Sequence, residues 1–314
     1  MGKSQVLRES PRIVFMGTPD FAVASLDALV KAGLNIIAVI TAADKPAGRG
    51  MQLTESAVKK YAVANDLQVF TPEKLKAPSF LETLQSLKAD LQIVVAFRML
   101  PEQVWHMPPL GTINLHGSLL PEYRGAAPIN WAVINGEKKT GVTTFKLQHE
   151  IDTGDILLQE SFPVGDDETA GEVHDRMKEI GASLLVKTVE GIADGTLSET
   201  PQQKSVILHH APKIFTGTCK IEWNKPVDEI YNLIRGLSPY PAAFTTLDNK
   251  VLKIYKGQKL LTTPLDGPGK METDKKTFIR FSGIDGYIVL KEIQLEGKKK
   301  MLTEDFLRGY RFEV

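Results

Sequence analysis

Residues 111–131 read GTINLHGSLLPEYRGAAPINW, and the reading of the fold starts there. Thr112-Ile113-Asn114-Leu115-His116 places polar side chains at alternate positions, the pattern of an extended segment. Side chains in a strand alternate between faces, so Asn114 and His116 share one. An amide beside an imidazole, followed by a turn-rich loop, is poor core material. In open α/β sheets ligands gather at the carboxyl ends of strands. If TINLH belongs to such a sheet, the pair stands where chemistry is expected.

The segments before it support that sheet. RIVFMG (12–17), NIIAVIT (35–41), a brief run at 68–70 and LQIVVAF (91–97) are apolar and rich in β-branched residues, as buried strands are. Between them lie helical patterns: Phe21 to Ala32 with Val23, Leu26 and Val30 in register and Gly33 closing it, then 55–65 and 79–87. Strands alternating with helices at this spacing predict a parallel α/β sheet covered on both faces. After residue 138 the rhythm changes. TGVTTFKLQ and DILLQESFPV flank Glu150–Gly154 and predict two antiparallel strands. Val173, Met177, Ile180 and Leu184 mark an amphipathic helix over 170–191. The polar stretch ADGTLSETPQQKS predicts a linker. Beyond it, one helix near 226–235 and short strands in TCKIEW, AAFTTLD, KVLKIYKG, TFIRFS, GYIVLKEIQLEG and KKKML predict a small β-barrel or sandwich.

Composition narrows the function. At 42% hydrophobic and 24% charged, the 314 residues are ordinary for a globular protein. No stretch approaches the ~20 apolar residues of a bilayer span, and MGKSQVLRESPR lacks the apolar core of a signal peptide. The single cysteine, Cys219, has no internal disulfide partner and reads as a strand position. A cytoplasmic protein is expected, with a monomer as the default. Net charge is zero but uneven: residues 1–204 carry 20 Lys+Arg against 25 Asp+Glu, and residues 205–314 carry 18 against 13. A basic C-terminal part favours an anionic partner or a solvated basic face. The first strand ends in Gly17-Thr18-Pro19-Asp20, so dinucleotide and P-loop fingerprints are missing.

A second polar cluster is HEIDTGDIL, in which Asp152 and Asp155 flank Thr153-Gly154. Alone it reads as an Asp/Gly turn between two strands. Combined with Asn114 and His116 it suits an acyl transfer that uses no covalent nucleophile. Negative charge develops on oxygen when an amine attacks a carbonyl, and amide and imidazole N–H groups can stabilise it; one such donor is worth about 3 kcal/mol. A carboxylate favours the imidazolium and accepts the amine's proton. There is no nucleophile elbow and no zinc signature. The adjacent His209-His210 have no carboxylate at useful spacing and read as linker residues. No metal is expected.

Asn114-Leu115-His116 with Ser118-Leu119-Leu120-Pro121 resembles the N-x-H…SLLP signature of the 10-formyltetrahydrofolate-dependent formyltransferases. IDTGDIL is similar to that family's D-x-G segment and matches its third catalytic position with Asp152. FMGTPDFAV, ADKPAGRG, YRGAAPINWAVINGE and IRGLSPYPAAFT resemble the branch whose acceptor is Met-charged initiator tRNA. The resemblance implies a Rossmann-like formyltransferase domain over 1–193 and a linker over 194–211. An OB-like β-barrel that helps hold tRNA would follow over 212–314. It implies catalysis by Asn114, His116 and Asp152, and 10-formyltetrahydrofolate lying against Ser118, Leu119, Leu120 and Pro121. Lys45 and Arg49 would then meet the tRNA acceptor stem. Gly117 stands where the family commonly has Ala, and VVAFRMLPEQVW (94–105) departs from the usual VVAYGLILP. Arg98, in that departure, could meet the folate's glutamate tail or a partner within the protein. The alternatives are a formyltransferase for an amino sugar nucleotide and a non-catalytic tRNA- or folate-binding homologue.

Overall fold

The computed structural model describes residues 10–47, 52–203 and 208–312. They divide into two compact units: Met1–Arg124 with Gly141–Ser161 and Asp175–His209, and Gly125–Thr140 with Phe162–His174 and His210–Val314. In chain order the first elements are β1 (Ile13–Gly17), α1 (Asp20–Lys31), β2 (Ile36–Ile40), the hairpin strands β3 (Lys45–Ala47) and β4 (Gln52–Thr54), α2 (Ala57–Ala64), β5 (Val69–Phe70), α3 (Pro78–Ser86), β6 (Leu91–Val95), α4 (Glu102–Trp105) and β7 (Thr112–His116). There follow β8 (Arg124–Gly125), α5 (Pro128–Ile134), β9 (Lys139–Lys146), β10 (Ile156–Pro163) and α6 (Ala170–Asp194).

The first unit is organised by a sheet of order β10-β9-β7-β6-β1-β2-β5. The pairs β2–β5, β1–β2, β1–β6 and β6–β7 are parallel, and β9 joins β7 antiparallel. This is the parallel-rich sheet expected. All five residues of β1 and of β6 are buried, because a central parallel strand has no wet face. On one face Val14, Met16 and Val94 pack with Phe80 and Leu84 of α3 and Val104 of α4. On the other, α6 lies so close that a Cβ on Gly181 would stand 2.9 Å from the Leu115 side chain. The helix opens on a capping box: Glu172 accepts from the Thr169 backbone N–H at 2.8 Å, and the Thr169 hydroxyl accepts from Glu172 N–H at 3.3 Å. Ser56 caps α2 by accepting from Lys59 N–H at 3.0 Å, an arrangement worth about 1 kcal/mol.

The strand expected over 91–97 ends at Val95, since Ala96 takes φ +46° and turns the chain out of the sheet. The short helices α4 and α5 were not foreseen; each opens on proline-bounded sequence that reads as a turn. Among the described residues, no helix is long and apolar enough to cross a membrane.

The second unit continues with β11 (His210–Ala211), a 3₁₀ turn at Thr216–Cys219, α7 (Val227–Gly236), β12 (Ala243–Leu247), β13 (Lys250–Leu260), β14 (Met271–Thr273), β15 (Ile279–Ser282), β16 (Tyr287–Leu295), β17 (Met301–Leu302) and α8 (Thr303–Gly309). Its sheet runs β12-β13-β16-β15-β14, with β17 also on β16. The pairs β12–β13, β13–β16, β14–β15, β15–β16 and β16–β17 are antiparallel. Register shifts around Lys256 bulge the long β13 strand and let the sheet curl, as a barrel-like domain requires. Ile230 and Ile234 of α7 lie in its core with Leu252, Ile254, Ile288 and Ile293. Cys219 is a correction: it ends the 3₁₀ turn, with its thiol toward Phe215 O at 3.4 Å, and is not in a strand. The α8 helix is a second helix where one was expected.

Candidate active site

Strand β7 places Asn114 and His116 as its alternation demanded. Asn114 is half-buried and lies opposite Val94 of β6, on the side where α3 and α4 pack; His116, opposite Thr143 of β9, is 7% exposed. The Phe145 ring meets the imidazole edge-on, with centroids 6.4 Å apart. His116 Nε2 lies 2.9 Å from the Tyr123 carbonyl oxygen. A carbonyl only accepts, so Nε2 carries the proton and donates it. The other nitrogen, Nδ1, faces Asp152 Oδ2 at 3.9 Å. That separation is beyond a direct hydrogen bond but within ion-pair range once Nδ1 is protonated. The neutral ring therefore offers a lone pair at Nδ1, with a carboxylate beside it to stabilise the charge that a proton would bring.

Both partners of the imidazole sit on unusual backbone. Tyr123 has φ +58° and Asp152 φ +55°, left-handed values uncommon outside glycine and concentrated at functional sites. Next to Asp152, a Cβ on Gly154 would stand only 1.6 Å from the Lys146 carbonyl oxygen, so no other residue fits there without displacing the turn.

The loop expected to hold the folate is pinned from behind. The Thr143 hydroxyl donates to Ser118 O at 2.7 Å and accepts from Leu120 N–H at 3.1 Å, while Gln159 Nε2 donates to Leu120 O at 2.9 Å. Ser118 is fully buried and its hydroxyl donates to Glu122 O at 2.6 Å; Leu120 is also buried. Leu119 and Pro121 keep part of their surface exposed. The loop thus holds Ser118 and Leu120 inside and leaves part of Leu119 and Pro121 at the surface.

Lys45 is exposed on the β3–β4 hairpin, paired through its backbone with Thr54. Lys59 of α2 ties both feet of that hairpin, reaching Asp44 at 2.6 Å and Glu55 at 3.0 Å, and these hydrogen bonds raise its pKa. Arg49 lies outside the described residues. Arg98 donates to Glu73 O at 2.8 Å and to Pro72 O, tying the chain after β6 to the chain after β5. Burial lowers its pKa. A cavity of about 500 Å³ opens there, lined by Phe70, Thr71, Pro72, Glu73, Lys74 and Phe80 among others, and it does not include Asn114, His116 or Asp152.

Several contacts were not visible in the sequence. His209, read as a linker residue, stacks on Tyr123 with ring centroids 5.5 Å apart, and its Nδ1 meets Glu122 Oε2 at 3.1 Å. The carboxylate missing from its sequence neighbourhood is thus supplied from 87 residues away. Gln202 donates to the backbone of the Asp152 turn. Among the described residues no group of three His, Cys, Asp or Glu side chains is placed to hold a metal ion.

The sequence matches the family model described as formyl transferase over residues 11–189, and that of the formyl transferase C-terminal domain over 213–311. It is 51% identical over 311 residues to the methionyl-tRNA formyltransferase of Bacteroides fragilis, covering 96% of each chain. It is 54% identical to the methionyl-tRNA formyltransferase of Parabacteroides distasonis, covering 97% of each. Among solved structures, the fold is similar to an N-formyltransferase from Helicobacter canadensis in complex with folinic acid and dTDP-3-aminofucose. There the TM-score is 0.69 and the identity 23%, over 93% of this chain and 100% of that one. It is also similar to HypX from Aquifex aeolicus in complex with tetrahydrofolic acid, with a TM-score of 0.63 and 17% identity, over 97% of this chain and 49% of that one.

Proposed function

This chain belongs to the formyltransferase family, and we propose that it transfers the formyl group of 10-formyltetrahydrofolate to the α-amine of Met-charged initiator tRNA. The observation that carries this is identity above one half, end to end, with relatives named for that reaction. The distant sugar formyltransferase likeness bears on fold alone. When bound, the folate supplies the formyl carbon and leaves as tetrahydrofolate. It would lie against the Ser118–Pro121 loop, where Leu119 and Pro121 keep part of their surface exposed.

The side chains divide the work. The amine nitrogen attacks the formyl carbon and the bond from that carbon to the folate nitrogen breaks. Asn114 donates a hydrogen bond to the formyl oxygen as charge grows on it. His116, held at Nε2 by Tyr123 O, has Nδ1 free to take the proton the amine loses. Asp152 stabilises the resulting imidazolium across the 3.9 Å gap and orients the ring. The proton then passes to the departing folate nitrogen, so the site returns to its starting state. Lys45 and Arg49 would engage the acceptor stem, and the C-terminal 212–314 region, basic in sequence, would hold the tRNA backbone. One chain carries all three catalytic groups, which supports action as a monomer. The acceptor is a cytoplasmic species, which supports action in the cytoplasm.

The test is formylation by the purified protein of Met-charged initiator tRNA, elongator Met-tRNA and a dTDP-linked amino sugar, with 10-formyltetrahydrofolate as donor. Rapid formylation of the initiator alone is expected. Turnover on the amino sugar with none on the tRNA would overturn the proposal.

A further inference from the structure

Gln202 lies in the polar stretch after α6, 50 residues from Asp152, yet its amide is wholly engaged at the catalytic turn. Nε2 donates to Asp152 O at 2.9 Å and to Gly154 O at 2.8 Å. Oε1 accepts from Arg124 Nε at 3.2 Å and from the Nη2 of the same guanidinium at 2.5 Å. The orientation of the amide follows from its partners: only NH₂ can face two carbonyls, and only oxygen can face a guanidinium. Arg124 adjoins Tyr123, whose carbonyl holds His116 Nε2. The dipeptide Tyr123-Arg124 thus grips the imidazole directly and the Asp152 turn through Gln202.

We propose that Gln202 is a positioning residue for formyl transfer: braced by Arg124, it keeps the turn in the left-handed conformation that points the Asp152 carboxylate at His116 Nδ1. This rests on the role given to Asp152 above. Without the amide, two carbonyls of one turn lose their shared donor, and the left-handed backbone at Asp152 loses a restraint outside its own strand pair. A carboxylate at the same position would still pair with Arg124 but would set oxygen against both carbonyls.

The experiment measures kcat and KM for formylation of Met-charged initiator tRNA, together with Tm, in Q202A, Q202E, D152A and the double variant D152A/Q202A. Q202A should lower kcat by about 10- to 100-fold, the scale of an ångström-sized misplacement, with KM for tRNA and donor changed by less than about threefold. Q202E should lose at least as much despite keeping the size of the side chain. In the D152A background, removing Gln202 should cost less than about threefold, because there is no longer a carboxylate to aim. Equal losses in both backgrounds, or Q202A within about threefold of wild type, would overturn the positioning role. If Q202A does not fold, Q202E alone decides: activity near wild type refutes the proposal. Near-wild-type turnover in D152A would instead refute the catalytic assignment, so the two failures are distinct.

Discussion

Gly154→Ala tests how tightly the Asp152 carboxylate depends on its turn. The added Cβ would stand 1.6 Å from Lys146 O, 2.8 Å from the Lys146 carbonyl carbon and 3.3 Å from the Phe145 ring. Carbon and oxygen settle no closer than about 3.3 Å, so the turn and β9 must part by roughly 1.5 Å or more. Gly154 O shares its donor with Asp152 O, and Phe145 packs on His116, so the displacement reaches both members of the pair. Forced overpacking costs about 1–3 kcal/mol, or roughly 2–12 °C in Tm for a chain portion of this size. An ångström of misplacement lowers kcat by about 10²-fold. The assay is steady-state formylation of Met-charged initiator tRNA well below the variant's Tm, with Gly217→Ala as control, since nothing lies within 4 Å of a Cβ there. A Gly154→Ala enzyme with wild-type kcat would refute the reasoning.

Three further outcomes are expected. Arg49→Ala should raise KM for charged tRNA by about tenfold through lost phosphate or base contacts while leaving hydrolysis of the formyl donor intact; an unchanged KM would leave the loop without that role. Arg98→Ala should cost about 1 kcal/mol, discounted for its exposure, and speed amide exchange in residues 71–74, with the folate KM within about twofold of wild type. A large rise in folate KM at unchanged Tm would show instead that the guanidinium serves the donor. Burial first, then the hydrogen bond to Asp167, pushes the Tyr231 hydroxyl up from 10.0 to about 12. The folded state then keeps a proton that the unfolded chain loses. This contribution is intact below pH 10 and is lost as pH rises toward 12, a fall of about 3 kcal/mol. Denaturant titrations across that window should show the fall, and Tyr231→Phe should remove it; an equal slope in both proteins would contradict the linkage.

What was legible in the sequence was whatever follows from periodicity. The apolar runs at 12–17 and 91–97 announce buried parallel strands, and alternation in TINLH by itself puts Asn114 and His116 on one face. The family resemblance then singled out Asp152. Local pattern could not reveal groups whose partners are distant in the chain. Gln202 and His209 sit in a stretch whose composition says linker, and their meaning comes from contacts 48 to 87 residues away. TCKIEW has strand composition, yet the chain reaches Cys219 through a 3₁₀ turn over Thr216–Cys219, which composition does not reveal. Short helices such as α4 and α8 carry too few turns for a helical period to emerge.

The most direct test of the account is the single-turnover rate of formyl transfer in Asp152→Asn, with tRNA affinity measured in parallel. The substitution keeps the shape of the side chain and removes the charge that faces His116 Nδ1 at 3.9 Å. A fall of about 10²-fold or more in the chemical step, with tRNA affinity unchanged, is the predicted result. A wild-type rate would contradict the claim that Asn114, His116 and Asp152 form the formyl-transfer site.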